Sequence, residues 1–172
     1  MNEVIRNLLT RRSVRSFTEE HIKREDLDLI IKTALYAPSG CNMQTWQFTV
    51  VTDRLKIQRL AADVGKALGR EGYDFYSPDV LIIPTNERES RWGMEDDACA
   101  LENIFLAAHS LGIGSVWINQ LRGICDEPEI RAILREWKIP DDHVIYGLAA
   151  LGYAASEPSQ DVEKRGIVNI IE

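Results

Sequence analysis

The sequence is short of the residues that most often mark a reactive site. Its three cysteines, Cys41, Cys99 and Cys125, are odd in number and far apart, with no Cys-x-x-Cys pair and no zinc spacing. Reduced thiols and a cytoplasmic protein are therefore expected. The three histidines, His21, His109 and His143, are widely separated in sequence, which argues against a metal site built mainly from histidine, and none is expected. There is no His-Glu-x-x-His, no Gly-x-x-x-x-Gly-Lys-Ser/Thr phosphate loop and no Gly-x-Ser-x-Gly elbow. Gly112 and Gly114 begin a dinucleotide fingerprint, but Trp117 stands where the third glycine belongs. The longest near-unbroken apolar stretch, Gly147 to Ala155, has nine residues, against roughly 20 for a membrane-spanning helix. The opening MNEVIRNLLTRRS carries charges where a secretory signal has its apolar region. Positive charge is also scarce. Lys and Arg number 20 against 27 Asp and Glu, for a net charge of −7. No positive field draws in nucleic acid or an anionic membrane, and neither is an expected partner.

What is present suits one soluble domain spanning residues 1–172. The chain is 45% hydrophobic and 27% charged, with no repeat and no Pro/Gly/Ser-rich linker. Apolar spacing predicts helices over Asn2–Leu9, Arg24–Tyr36, Leu55–Leu68, Glu95–Leu111 and Glu127–Trp137. Strands are expected over Trp46–Thr52, Val80–Pro84, Ser115–Ile118 and Ile145–Leu151, and Ile167–Ile171 is a candidate terminal strand. Gly69 to Pro78 reads as a loop with aromatic residues, and Tyr153 to Gln160 as irregular. The helix over Glu95–Leu111 is apolar nearly all round, so it is expected to be buried nearly all round, one side beneath a second subunit. Alternation of helices and strands after a helical start indicates a layered α/β or α+β fold.

Four segments carry the functional reading. Arg11, Arg12, Ser13 and Arg15 fall within RRSVR. Guanidinium forks and a hydroxyl match phosphate oxygens, although a basic turn after a helix also complements its dipole. Pro38, Ser39, Asn42 and Gln44 fall within APSGCNMQTWQF, a polar turn before a strand. Its amides suit the polar edge of a heterocycle and equally suit an ordinary loop. GIGSVWINQL contains Trp117, Ile118 and Asn119, and Lys164–Arg165 is a basic pair near the end. Cys41 has no histidine near it in sequence and reads as a small packed thiol. Glu95, Asp96 and Asp97 read as carboxylates at a helix N-terminus.

Taken together, in this order, the segments resemble the nitroreductase family of FMN-dependent oxidoreductases. RRSVRSF resembles that family's phosphate-binding segment, and APSGCNMQTWQF its Pro-Ser-x-x-Asn-x-Gln-x-Trp segment. LAAHSLGIGSVWI resembles its central helix and following strand, and GLAALGYAASEP with Lys164–Arg165 its last strand and basic pair. The resemblance implies an α+β fold: a three-layer α/β/α sandwich with a mixed, mainly antiparallel sheet, in an intertwined homodimer. It implies bound FMN, with NAD(P)H as co-substrate and a nitroaromatic, quinone or similar small molecule as electron acceptor, turned over by a ping-pong mechanism. No residue would be catalytic in its own right. By position, Arg11, Arg12 and Ser13 would hold the phosphate and ribityl chain, Lys164 and Arg165 would add positive charge, and Arg15 would tune the flavin N1/O2 edge. Pro38 and Ser39 would approach from the partner subunit. Asn42, Gln44, Trp117, Ile118 and Asn119 would complete the cofactor site.

The chain also departs from that pattern. Many relatives have Glu-Gly or Gly-Gly where Asn119 and Gln120 stand, and Gln120 adds a side chain where glycine permits close approach. A flavin-binding sensor or carrier without turnover therefore stays open, as does specialised flavin chemistry such as flavin destruction or dehalogenation. Tyr73, Phe75, Tyr76 and Trp92 either line the pocket or pack their loop onto the body.

Overall fold

The computed structural model describes residues 1–158 and 163–172. Its helices are α1 (Glu3–Thr10), α2 (Arg24–Ala34), α3 (Arg54–Ala67), α4 (Gly93–Ser110) and α5 (Pro128–Glu136). Its strands are β1 (Trp46–Val51), β2 (Val80–Glu87), β3 (Gly114–Ile118), β4 (His143–Val144) and β5 (Leu148–Gly152). The sheet order is β1-β2-β5-β3, with β4 also on β2, and every ladder is antiparallel. Among the described residues the parallel element is a single bridge, Ser13 to Ser115.

Alternation along the strands builds two cores. Val80, Ile82, Ala149 and Leu151 face one way and meet Leu27 and Ile30 of α2 and Leu101, Ile104 and Phe105 of α4. Leu81, Ile83, Val116, Ile118 and Ala150 face the other way and meet Ile57, Leu60 and Val64 of α3 and Ile130, Ile133 and Leu134 of α5. Helices thus cover both faces of the sheet, the expected three-layer α/β/α sandwich. Phe75 is fully buried in the second core, with Tyr73 edge-on to it at 5.1 Å. These two rings pack their loop onto the body.

The β2 strand runs three residues past the expected end at Pro84. Pro84 pairs with Phe48 of β1, and on its other side the ladder is interrupted between Ile82 and Asn86. That interruption is a one-residue change of register, with Asn86 opposite Val144 but Ile82 opposite Ala149, as in a β-bulge. It explains why β5 begins at Leu148 rather than Ile145. Gly147 occupies the bulge because the Trp117 ring fills the space a side chain would take, 2.5 Å from an ideal Cβ.

Two further expectations are corrected. The second helix ends at Ala34, two residues short of Tyr36. Residues 167–171 form no strand; Ile167, Val168, Ile170 and Ile171 are exposed. The last part of the segment expected to be irregular, residues 159–160, lies outside the described residues. In the single chain α4 buries one face, through Ala100, Leu101, Ile104, Phe105 and Ala108, while Cys99 and Glu102 are exposed and Leu106 is half-buried. Among the described residues no helix is long and apolar enough to cross a membrane.

Candidate functional site

The basic segment leaves α1 and runs between two strand ends. Val14 N–H donates to Ser115 O at 2.9 Å, Thr18 N–H to Tyr153 O at 2.8 Å, and Ala155 N–H to Ser16 O at 2.9 Å. Val14 is buried and lies against Gly114, where an ideal Cβ would be 2.9 Å from a Val14 methyl carbon. Alternation then turns Arg15 to solvent, while Ser13 stays half-buried. Arg11 lies with its guanidinium 5.8 Å from the centre of the Phe105 ring. Arg12 donates to the carbonyls of Leu9 at 2.9 Å and Arg11 at 2.7 Å, so it closes the C-terminal turn of α1.

A cleft of about 310 Å³ opens beside these groups. Thr10, Arg11, Arg12, His109, Ser115 and Glu157 contribute polar side chains to its wall. Burial, with the guanidiniums of Arg11 and Arg12, holds His109 below its ordinary pKa. It shares a 2.8 Å hydrogen bond with Thr10 Oγ1. The Ser115 hydroxyl is buried with no hydrogen-bond partner among the described residues.

The second segment is a strained loop. Gly40–Asn42 forms one turn of 3-10 helix, within which Cys41 has φ +52°. Asn42 at +57° and Gln44 at +51° also adopt left-handed backbone, which is uncommon for residues other than glycine. Bonds inside the loop maintain it: Gln44 N–H donates to Ser39 Oγ at 3.2 Å, and Gln44 Nε2 to Asn42 Oδ1 at 2.8 Å. Pro38, Asn42 and Gln44 are exposed and Ser39 is half-buried. Strained backbone of this kind collects at functional sites.

What holds the loop to the body was not expected from the sequence. Gly40 N–H donates to Asp96 Oδ1 at 2.8 Å. Thr45 Oγ1 donates to Asn86 Oδ1 at 2.6 Å, and Asn86 Nδ2 donates to Asp97 Oδ1 at 3.0 Å. Asn86 and Asp97 are both fully buried. Burial pushes the Asp97 carboxyl up to about 7, against the opposing effect of Asn86 and with a small addition from Asp96. The run Glu95–Asp97 therefore does more than complement a helix dipole. Trp92 closes the loop from above, its ring 2.2 Å from where a Gly40 Cβ would stand, and Arg91 lies 4.7 Å from the Trp92 ring centre.

The remaining predicted residues lie on β3 and in the tail. Trp117 is 38% exposed and packs at 6.1 Å from Phe105, whereas Ile118 is buried at 1%. Asn119 is exposed, and its N–H donates to Gln120 Oε1 at 3.0 Å. Lys164 and Arg165 are exposed, and Arg165 pairs with Glu163 at 2.7 Å. Contacts thus link the Arg11–Arg15 segment directly to Ser115 on β3 and to Phe105, which in turn touches Trp117. The loop over 38–45 is tied separately, to β2 and to the first turn of α4. Among the described residues no His/Cys/Asp/Glu group is arranged to hold a metal.

The Trp92–Gly40 contact sets a test of this geometry. Gly40→Ala places a methyl group inside the Trp92 ring and forces one of the two to move, at a cost of about 1–3 kcal/mol. Denaturant unfolding is expected to show that loss, and the near-ultraviolet dichroism of tryptophan is expected to change. Wild-type stability with a wild-type spectrum would contradict the packing.

A Bacteroides fragilis nitroreductase crystallised with bound FMN is 38% identical and superposes over 100% of both chains with a TM-score of 0.95. An Archaeoglobus fulgidus protein assigned as an NADH dehydrogenase/NAD(P)H nitroreductase is 34% identical over 164 residues, covering 91% of this chain and 88% of its own. The Bacillus subtilis FMN reductase [NAD(P)H] is 36% identical over 144 residues, covering 72% of this chain and 56% of its own. The Nitroreductase family model matches residues 8–153, a span that takes in both site segments and every strand of the sheet, and this chain belongs to that family.

Proposed function

We propose that the chain is a single FMN-binding domain over residues 1–172 that works as a homodimeric oxidoreductase. It takes reducing equivalents from NADH or NADPH and passes them to a small acceptor such as a nitroaromatic or quinone, in a cytoplasmic setting. The observation that carries the reading is the basic segment stitched to β3 beside an unpartnered buried hydroxyl. The bound FMN of the Bacteroides fragilis relative and the named activity of the Bacillus subtilis one support it.

The donor set fits the cofactor. Two guanidiniums and the Ser115 hydroxyl line a cleft of about 310 Å³ that Glu157 also borders, and guanidinium and hydroxyl donors are the chemistry a phosphate monoester requires. Arg11, Arg12 and Ser13 would hold the phosphate and ribityl chain, with Lys164 and Arg165 adding charge from the tail. Arg15 is exposed one alternation further on and would balance negative charge at the flavin N1/O2 edge. Ser39, Asn42 and Gln44 would offer hydroxyl and amide groups, with Pro38 beside them. Trp117, Ile118 and Asn119 would form the strand side. When bound, FMN supplies the hydride chemistry, accepting two electrons from a reduced nicotinamide and donating them to an acceptor. The chain's part is to bind, orient and bias charge. One site serving donor and acceptor in turn would give ping-pong kinetics. A flavin-binding sensor or carrier is the second reading, favoured by the Asn119 N–H that Gln120 already occupies.

The homodimer rests on uncovered apolar surface. No residue of α1 is buried, and Val4, Ile5, Leu8 and Leu9 are exposed. Beside it a cleft of about 660 Å³ between α1, α2 and α4 is lined by Leu29, Tyr36, Leu106 and Ala107. A monomer rarely leaves such a surface open. Sedimentation is expected to give about twice the 19.5 kDa chain mass, and a 19.5 kDa species at micromolar concentration would count against the dimer.

The phosphate role is tested by fluorescence titration. Arg11→Ala is expected to weaken FMN binding by about 10–100-fold, the worth of a charge-assisted bond. Affinity for riboflavin, which has no phosphate, is expected to be the same in the variant and the wild type. Equal FMN affinity in the two proteins would remove Arg11 from the site.

A further inference from the structure

We propose that Asp97 is a positioning residue: through Asn86 and Thr45, its buried carboxyl sets how tightly the 38–45 loop is held closed over the body. The inference rests on the reading that this loop contacts the cofactor, and it adds a residue that neither the motifs nor the comparisons assign.

Asp97 is on the first turns of α4, fully buried, with Oδ1 accepting from Asn86 and Oδ2 buried without a partner among the described residues. A buried carboxylate with one free oxygen is costly unless it stays protonated or water reaches it. The groups facing it are Asn86 from β2, Asp96 on its own helix and Tyr146 from the segment before β5. Arg88, Arg122 and Glu95 lie beyond, around Tyr146. No cation is among the groups that shift Asp97. The negative form is therefore poorly accommodated while the chain of bonds from Thr45 to Asp97 remains dry. Thr45, half-buried, links Asn86 to the loop and also donates to Ser90 Oγ at 3.3 Å. Opening at Thr45 is the short route by which water can reach the site.

The sign follows from linkage. The closed loop holds the carboxyl well above its ordinary value, so closure is most favourable at low pH and weakens as pH rises toward about 7. Above that pH the effect levels off. Where opening fully hydrates Asp97, the opening equilibrium rises by up to about tenfold per pH unit below the plateau. Asp97→Asn keeps an oxygen acceptor for Asn86 and has no proton to lose. Thr45→Val cuts the link at the loop side and leaves the carboxyl in place.

Amide hydrogen exchange tests this without a cofactor. Exchange across residues 40–46, corrected for its intrinsic pH dependence, is to be compared at pH 5.5 and 7.5 in the wild type and both variants. The expected result is at least a tenfold rise in wild-type opening that Asp97→Asn loses, and more opening at both pH values in Thr45→Val, with exchange in α3 and α5 unchanged. An equal pH response in wild type and Asp97→Asn would overturn the proposal, as would a rise spread evenly over the whole chain. FMN titration of the same proteins separates the two readings. Loop protection that follows Asp97 while FMN affinity does not change supports the positioning role and sinks the loop's contact with cofactor.

Discussion

Two adjacent carboxylates near the start of α4 reach two different points of one loop. Asp96 takes the Gly40 amide directly, and Asp97 reaches Thr45 through Asn86. Gly40 and Thr45 bracket Cys41, Asn42 and Gln44, the loop's residues with left-handed backbone. Such backbone persists only where its surroundings over-determine it, and here the surroundings are α4. The helix in turn is fixed by its burial against β2, β5 and α2. Changes far from the loop, in the packing of α4, therefore reach it through two short hydrogen-bonded links.

The basic segment has a different support. Backbone bonds to Ser115 and Tyr153 lay it along β3 and the end of β5. Alternation then decides which side chain faces which way, with Val14 locked against Gly114 and Arg15 left to solvent. A sheet edge that fixes the backbone of a basic segment suits an anion site, because position costs little further entropy on binding. The chain is also apolar and uncovered along α1. The polar cleft and the groove along α1 share Thr10 and His109 in their walls.

Much of this was legible in the sequence where periodicity and composition agree. The amphipathic spacing of α2 and α3 and the β-branched run of β1 appear within a few residues of where they were expected. The segments RRSVR and APSGCNMQTWQF were visible as motifs because their residue types are unusual in combination. The links between elements were not legible. Asp96 and Asp97 are indistinguishable from ordinary helix-capping acids until the fold turns one toward Gly40 and buries the other beneath Asn86. Pro84 concealed the true length of β2, since a proline within a strand is tolerated only where the ladder breaks, and that break lies in the bulge before β5. The apolar residues Ile167 to Ile171 satisfied a strand pattern, but pattern alone does not supply a neighbour to pair with.

Carrying electrons through a bound flavin, rather than merely holding one, is what separates an oxidoreductase from a flavin carrier. The most direct measurement is the visible spectrum of the FMN-loaded protein under anaerobic conditions, on addition of NADH and, separately, NADPH. At least one of them is expected to bleach the oxidised-flavin bands, and a quinone or nitroaromatic then to restore them. Flavin that stays bound and oxidised with both donors would contradict an electron-carrying role.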